Sequence, residues 1–217
     1  NNTKVNVRWV DTEELEVNDN PEVVFRNIDG ILIPGGFGDR GIEGKIMSSK
    51  YARENGIPFF GICLGMQCAV IDFSRHLCNM KAANSTEFNR RTKFPVIDLM
   101  KAQKRVVTKG ASMRLGSYRC AVISGTRASS AYRRKTIDER HRHRYEFNNK
   151  YKTRLINAGL KVSGINEKLN LVEMIEIPTH PWFVGVQFHP ELKSTLVNVH
   201  PLFKDFISAS IKYRDDK

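Results

Sequence analysis

Val5, Val7 and Trp9 alternate with polar neighbours, which predicts a strand over Val5–Val10. Asp11 to Pro21 is acidic and rich in turn formers, and a short apolar segment, Val23-Val24-Phe25, follows. Ile31-Leu32-Ile33 is a continuous apolar run that halts at Pro34-Gly35-Gly36-Phe37-Gly38. That pattern predicts a buried parallel strand running into a tight loop. Ile42 and Ile46 recur at helical spacing between Gly41 and Asn55, and Asn55-Gly56 supplies a stop. Ile57–Ile62 is the next strand and passes without a spacer into Cys63–Ile71, which reads as helix. Further on, Phe94–Met100 is a strand candidate, Asp138–Tyr145 is a charge run, and Tyr151–Gly159 reads as helix. Leu171–Ile177 and Trp182–Phe188 read as strands. Pro201–Lys212 closes the chain as a helix with Leu202, Phe203, Phe206 and Ile207 on one face. Strand and helix alternate, which predicts an α/β fold: an open, mostly parallel sheet with helices on both faces. No repeat, low-complexity tract or linker divides the 217 residues, so one domain is expected.

Composition narrows the class. Hydrophobic residues make up 41% and charged residues 27%, a balance that supports a packed core and argues against disorder throughout. No run approaches the roughly 18–20 apolar residues of a membrane helix. Asn1-Asn2-Thr3-Lys4 does not lead into a signal-peptide apolar stretch. Cys63, Cys68, Cys78 and Cys120 form no CxxC pair and no zinc spacing with the histidines, so no metal site is expected. Four thiols in so long a chain also argue against a disulfide framework and point to a reduced, cytoplasmic setting.

The net charge of +12 is uneven. Residues 1–80 carry −3, residues 81–150 carry +13 and residues 151–217 carry +2. The central block suits nucleic acid, nucleotide phosphates or an acidic partner, and equally a solvated basic surface. It has few interleaved aromatics and neither zinc-finger spacing nor an RNA-recognition signature, which argues against nucleic acid as the partner.

Gly61-Ile62-Cys63-Leu64-Gly65-Met66-Gln67 is the most informative segment. A buried strand enters it, a helix leaves it, and Cys63 stands at the corner. Gly61 and Gly65 flank the corner where larger side chains would clash. This is a nucleophile elbow with Cys in place of Ser. The helix N-terminus offers positive partial charge that favours a thiolate, and a free thiol near pH 8.5 needs such help. Taken alone, the segment is equally compatible with Cys63 as one more small buried hydrophobe.

The segment resembles the nucleophile motif of class I, triad-type glutamine amidotransferases. Pro34-Gly35-Gly36 resembles that family's loop one strand earlier, and His189-Pro190-Glu191 its late His-Pro-Glu. Asn84-Ser85-Thr86-Glu87-Phe88, Met113-Arg114-Leu115-Gly116 and Arg140-His141-Arg142-His143-Arg144-Tyr145-Glu146 are similar to the glutaminase domain of the CTP synthase family. The likeness spans nearly the whole chain. It implies one amidotransferase domain over residues 1–217, without the βα unit that normally opens it and without the family's N-terminal amidoligase domain. The stretch between Pro95 and Met113 is shorter than in the family.

The resemblance also assigns roles. Cys63 attacks the glutamine amide, His189 takes and returns the proton, and Glu191 orients His189. His189 and Glu191, at i and i+2 around Pro190, would point to one side of an extended segment. Gly36 and Leu64 supply the oxyanion N–H groups. Glu87 pairs with the α-ammonium, while Gln67, one turn after Cys63, reaches the α-carboxylate or the amide. Arg144 and the Tyr145 backbone hold the carboxylate. Phe37 and Arg40 are candidate contacts for GTP, the family's activator, at an interdomain face. This domain needs no cofactor; ATP, UTP and Mg2+ belong to the absent synthetase domain, which would be covalently linked and use the ammonia to aminate UTP to CTP. Family enzymes are homo-oligomers. A different enzyme on this architecture, an amidotransferase for GMP or carbamoyl-phosphate synthesis or a DJ-1/PfpI-like hydrolase, is the alternative.

Overall fold

The computed structural model describes residues 1–18, 20–99 and 113–217. Its first elements are helices α1 (Thr12–Asn18) and α2 (Pro21–Val24), then strand β1 (Ile31–Ile33), α3 (Ile42–Glu54), β2 (Phe59–Ile62) and α4 (Leu64–Leu77). Next come β3 (Ala83–Ser85), β4 (Phe94–Leu99), β5 (Arg114–Val122), α5 (Arg127–Tyr132), β6 (Thr136–His143) and β7 (Tyr145–Phe147). The chain ends with α6 (Lys152–Asn157), β8 (Lys161–Asn166), β9 (Leu171–Glu176), β10 (Phe183–Val186) and α7 (Pro201–Asp215).

Seven strands form the main sheet in the order β1-β2-β10-β9-β8-β5-β6. β1, β2 and β10 are parallel neighbours, with α3 as the crossover between the first two. From β10 outward every pairing is antiparallel. The α/β class is as the sequence implies, but the sheet is mixed rather than mostly parallel: the parallel ladder is confined to the three strands that lead into the site, and the strands beyond them pair as antiparallel neighbours. A smaller sheet, β3-β4-β7, stands beside it.

Strand alternation sends side chains into two cores. Phe59 stacks on Phe183 at 4.3 Å between ring centroids, on the side of α3 and α4. Phe60, the next residue, packs edge-on to Trp182 and against Phe206 of α7 on the opposite face. Each such burial is worth about 1.5–3 kcal/mol. α4 is buried from Leu64 through Ser74, so it lies inside the protein rather than on it. Its one buried carboxylate, Asp72, is gripped by Arg53 through two bonds of 3.0 Å.

Four regions differ from expectation. Residues 1–11 form no regular element, and Val5, Val7 and Trp9 are exposed, the last by 88%. Alternation encodes a strand only where a ladder and a face to bury receive it. The acidic stretch after Val10 is helical instead: Asp11 caps α1 through Glu13 N at 2.8 Å, and Leu15 anchors it in the core. The charge run is strand β6, with Ile137, Glu139, His141 and His143 buried and the residues between them facing outward. The expected helix over Tyr151–Gly159 begins as a 3-10 turn and becomes α6 only at Lys152. β4 ends at Leu99; Met100 and most of the shortened stretch before Met113 lie outside the described residues.

Candidate active site

The three parallel strands end side by side, and their carboxyl ends deliver three loops to one place, the usual location of a site on such a sheet. β1 leads to Gly35-Gly36-Phe37, β2 to Cys63 and β10 to His189. Cys63 joins β2 to α4 with φ +50° and ψ −100°, a left-handed conformation strained for any residue but glycine. The surrounding backbone over-determines that strain. Cys63 N donates to Val186 O at 2.7 Å, and Cys63 O accepts from Gln67 N at 3.1 Å as the first turn of α4. A Cβ on Gly61 would lie 2.7 Å from the Gly65 backbone, so glycine is required where the strand passes under the helix.

His189 comes alongside. A Cβ on Gly35 would meet His189 Cε1 at 2.6 Å and Cys63 Cβ at 3.6 Å, so both side chains border the same bare glycine. His189 Nδ1 is 2.6 Å from Glu191 Oε1. The pair forms because Pro190 opens a 3-10 turn, not because the segment stays extended as the spacing suggested. With Nδ1–H donated to a carboxylate, Nε2 is the bare nitrogen, and it has no hydrogen-bond partner among the described residues. Gly36 adjoins Leu64, whose Cδ2 would lie 3.0 Å from a Cβ at position 36.

Burial pushes the Cys63 thiol up to about 12, helped by the negative fields of Glu191, Glu146 and Glu87. The Leu64 N–H pulls the other way and loses. This corrects the sequence expectation of a helix-stabilised thiolate: at 2% exposure, desolvation outweighs one turn of helix dipole.

A cavity of about 260 Å³ opens over Cys63. Gly36, Phe37, Gln67, Glu87, Arg144 and Tyr145, all singled out in the sequence, line it. The small sheet brings in the distant ones. Glu87 follows β3, and Arg144 and Tyr145 form the corner from β6 into β7. Gly38 N–H donates to the Glu87 carboxylate, whose pKa burial raises against the pull of Arg144. Gln67 is placed differently from expectation. Its Nε2 donates to Tyr145 O at 3.2 Å and to Gln187 Oε1 at 3.3 Å, so its N–H groups are committed to the protein and not to a carboxylate. Arg40 stands outside the cavity, bidentate on Glu13 at 2.5 and 3.1 Å. Phe37 is 59% exposed at the rim, with the Arg142 guanidinium 5.6 Å from its ring centre.

Met113, Arg142 and His143, which stand in quoted motifs but were given no role from the sequence, also line the cavity, and the sequence reading missed Gln187, which donates Nε2–H to Cys63 Sγ at 3.7 Å. A polar residue inside the apolar run Trp182–Phe188 was the available signal for Gln187. No group of three or more His, Cys, Asp or Glu among the described residues is arranged to hold a metal ion, and no described helix is long and apolar enough to cross a membrane.

The family model described as glutamine amidotransferase class-I matches residues 1–209. The CTP synthase of Clostridium kluyveri is 56% identical over 211 residues, which cover 97% of this chain and 39% of that protein. The CTP synthase of Caldanaerobacter subterraneus subsp. tengcongensis is 55% identical over 213 residues, covering 98% and 39%. The chain thus spans about two fifths of the length of these relatives. Among solved structures, the glutaminase domain of a Trypanosoma brucei CTPS with bound acivicin matches with a TM-score of 0.90 and 37% identity, covering 97% of this chain and 82% of that one.

Proposed function

The chain belongs to the class-I glutamine amidotransferase family, in company with the glutaminase domains of CTP synthases, and on that premise we propose that it hydrolyses L-glutamine to glutamate and ammonia through a cysteine thioester. The observation that carries this reading is the strained Cys63 corner with the His189–Glu191 pair beside it.

Cys63 gives its thiol proton to His189 Nε2 as sulfur bonds to the amide carbon and the carbonyl π pair moves to oxygen. Gly36 and Leu64 N–H groups receive that oxyanion; loss of one such donor costs about 2.7–4 kcal/mol. The carbon–nitrogen bond then breaks, and His189 returns the proton to the nitrogen, which leaves as ammonia. Water, deprotonated by His189, attacks the thioester; the carbon–sulfur bond breaks, the sulfur recovers a proton and glutamate departs. Glu191 keeps Nδ1 protonated and steadies the imidazolium between these transfers. Glu87 takes the α-ammonium and Arg144 the α-carboxylate, the charges each end requires. Gln67 contributes its Oε1 to the substrate.

In the longer polypeptide implied by the relatives' length, a covalently linked amidoligase domain holds ATP, UTP and Mg2+ and uses the ammonia to aminate UTP to CTP. GTP acts at the face between the two domains, with Phe37 and Arg40 on this side, and the assembled enzyme is a homo-oligomer in the cytoplasm. Ammonia release from L-glutamine, measured on the longest natural polypeptide that carries this chain, tests the reading. Cys63→Ser should lower kcat by about a thousandfold or more. A Cys63→Ser protein that releases ammonia at the wild-type rate overturns it.

A further inference from the structure

Gln187 is fully buried two residues before His189, between the end of β10 and the catalytic turn. Its backbone N donates to Glu173 O at 2.8 Å, which extends the β9–β10 ladder and fixes where the side chain starts. The side chain ends beside the nucleophile, with Nε2 3.7 Å from Cys63 Sγ.

The orientation of that amide follows from its neighbours. Tyr145 O is a carbonyl and can only accept. It takes His143 Nδ1–H at 3.1 Å and Gln67 Nε2–H at 3.2 Å. Gln67 must therefore turn its NH2 inward. An NH2 can only donate, so Gln187 must offer Oε1 to it, which it does at 3.3 Å. The Gln187 NH2 is left facing the sulfur. A backbone carbonyl two residues past His143 thus dictates, through two amides, that an N–H and not a lone pair meets Cys63.

A sulfur gains little from such a donor while it is a thiol and much more once it is an anion. Its surroundings otherwise disfavour the anion: it is desolvated, and the carboxylates of Glu191 and Glu87, joined by Glu146 once that group ionises, oppose negative charge there. Leu64 N–H is the other donor that faces it. We propose that Gln187 is a further catalytic residue, donating Nε2–H to Cys63 Sγ and steadying the charge the sulfur acquires as its proton leaves for His189. Gln67 is then the positioning residue for Gln187, in addition to lining the substrate cavity. This inference rests on the glutaminase reading for its purpose but not for its geometry.

The experiment compares the full chain with Gln187→Met, which keeps the volume and removes the donor, and Gln187→Glu, which keeps the shape and puts an acceptor against the sulfur. Carboxamidomethylation of Cys63 by iodoacetamide, followed by peptide mass spectrometry from pH 6 to 10, reports sulfur ionisation without needing glutamine. The rate should fall about ten- to a hundredfold in either variant, the range a hydrogen bond to a charged group supports, and its rise with pH should move to higher pH. In the glutaminase assay kcat should fall by a similar factor with KM nearly unchanged. Should one variant fail to fold, as read by circular dichroism, the other gives the same comparison. A folded variant alkylated within twofold of wild type at every pH overturns the proposal, as does a raised KM with unchanged kcat. If wild type hydrolyses no glutamine, the functional reading fails while the alkylation comparison still decides the role of Gln187. If wild type turns over and Gln187→Met matches it, only the role of Gln187 fails.

Discussion

Gly61→Ala tests whether the elbow geometry, rather than the presence of a cysteine, makes the site. The added methyl would sit 2.7 Å from both C and O of Gly65 and 2.8 Å from Met66 N. Ordinary contact begins near 3.4 Å, so β2 and the first turn of α4 must separate by about 0.7 Å. All three clashing atoms are backbone of the buried first turn of α4, β2 is buried throughout, and no side-chain rotation relieves them. Overpacking of this kind costs typically 1–3 kcal/mol, and the upper end is expected here. For a chain of this size that lowers Tm by about 6–12 °C. The larger effect is on chemistry, because a displacement approaching 1 Å at a reacting atom can cost a hundredfold. Gly159→Ala is the control. It adds strain at φ +105° but meets nothing within 4 Å, so it should lose stability, by about 1–3 kcal/mol, and keep the reactivity of Cys63. The assay is thermal melting by circular dichroism alongside alkylation of Cys63. A Gly61→Ala protein that melts with wild type and is alkylated at the wild-type rate would show that the elbow is not the tight crossing described.

Arg114 is buried between Glu146 and Glu173, bonded at 3.1 and 2.9 Å. Arg114→Met leaves both carboxyls without their cation and should cost about 3–5 kcal/mol in urea unfolding at pH 8, with a smaller loss at pH 5, where Glu146 is neutral. Burial pushes the Glu146 carboxyl up to about 8 despite Arg114. The folded state therefore keeps a proton that the unfolded chain releases near pH 4.5, and the contribution of this group to stability falls as pH rises from about 4.5 to 8. Against Glu146→Gln, which cannot ionise, the Tm of wild type should lose about 3 °C or more of its relative standing between pH 5 and 8; a constant difference refutes the assignment. Arg40→Ala removes only an exposed pair with Glu13, so melting should not change, while the proposed GTP contact requires that the longer polypeptide need more GTP for half-activation. An unchanged GTP dependence, or none in wild type, rejects that contact.

The elements that position the site were the legible ones. Ile31–Ile33, Phe59–Ile62 and Phe183–Val186 carry no polar side chain, β2 and β10 being covered on both faces and β1 leaving only Leu32 exposed, and Gly61 and Gly65 mark the crossing that only glycine permits. The cavity residues named from the family's motifs lie together around Cys63, apart from Arg40. β6 was hidden because its inward positions are Glu139, His141 and His143. Hydrophobic alternation cannot register a strand whose buried face is mostly polar. The same polarity hid Gln187. Its value lies in a bond to a residue 124 positions away in sequence, and no local pattern carries that. Val5–Val10 failed in the opposite direction: the alternation is present, and in this structure no ladder receives it.

On the proposed reading Cys63, alone of the four cysteines, is a nucleophile activated by His189. A thiol-directed glutamine analogue tests it most directly, with the modified residue located by peptide mass spectrometry. Wild type should carry one label, on Cys63, and excess L-glutamine should suppress it. Cys68, Cys78 and Cys120, all buried, should stay unmodified, and His189→Ala should slow the reaction about a hundredfold or more. Label spread over the four thiols, or labelling of Cys63 indifferent to glutamine and to His189, would contradict the account.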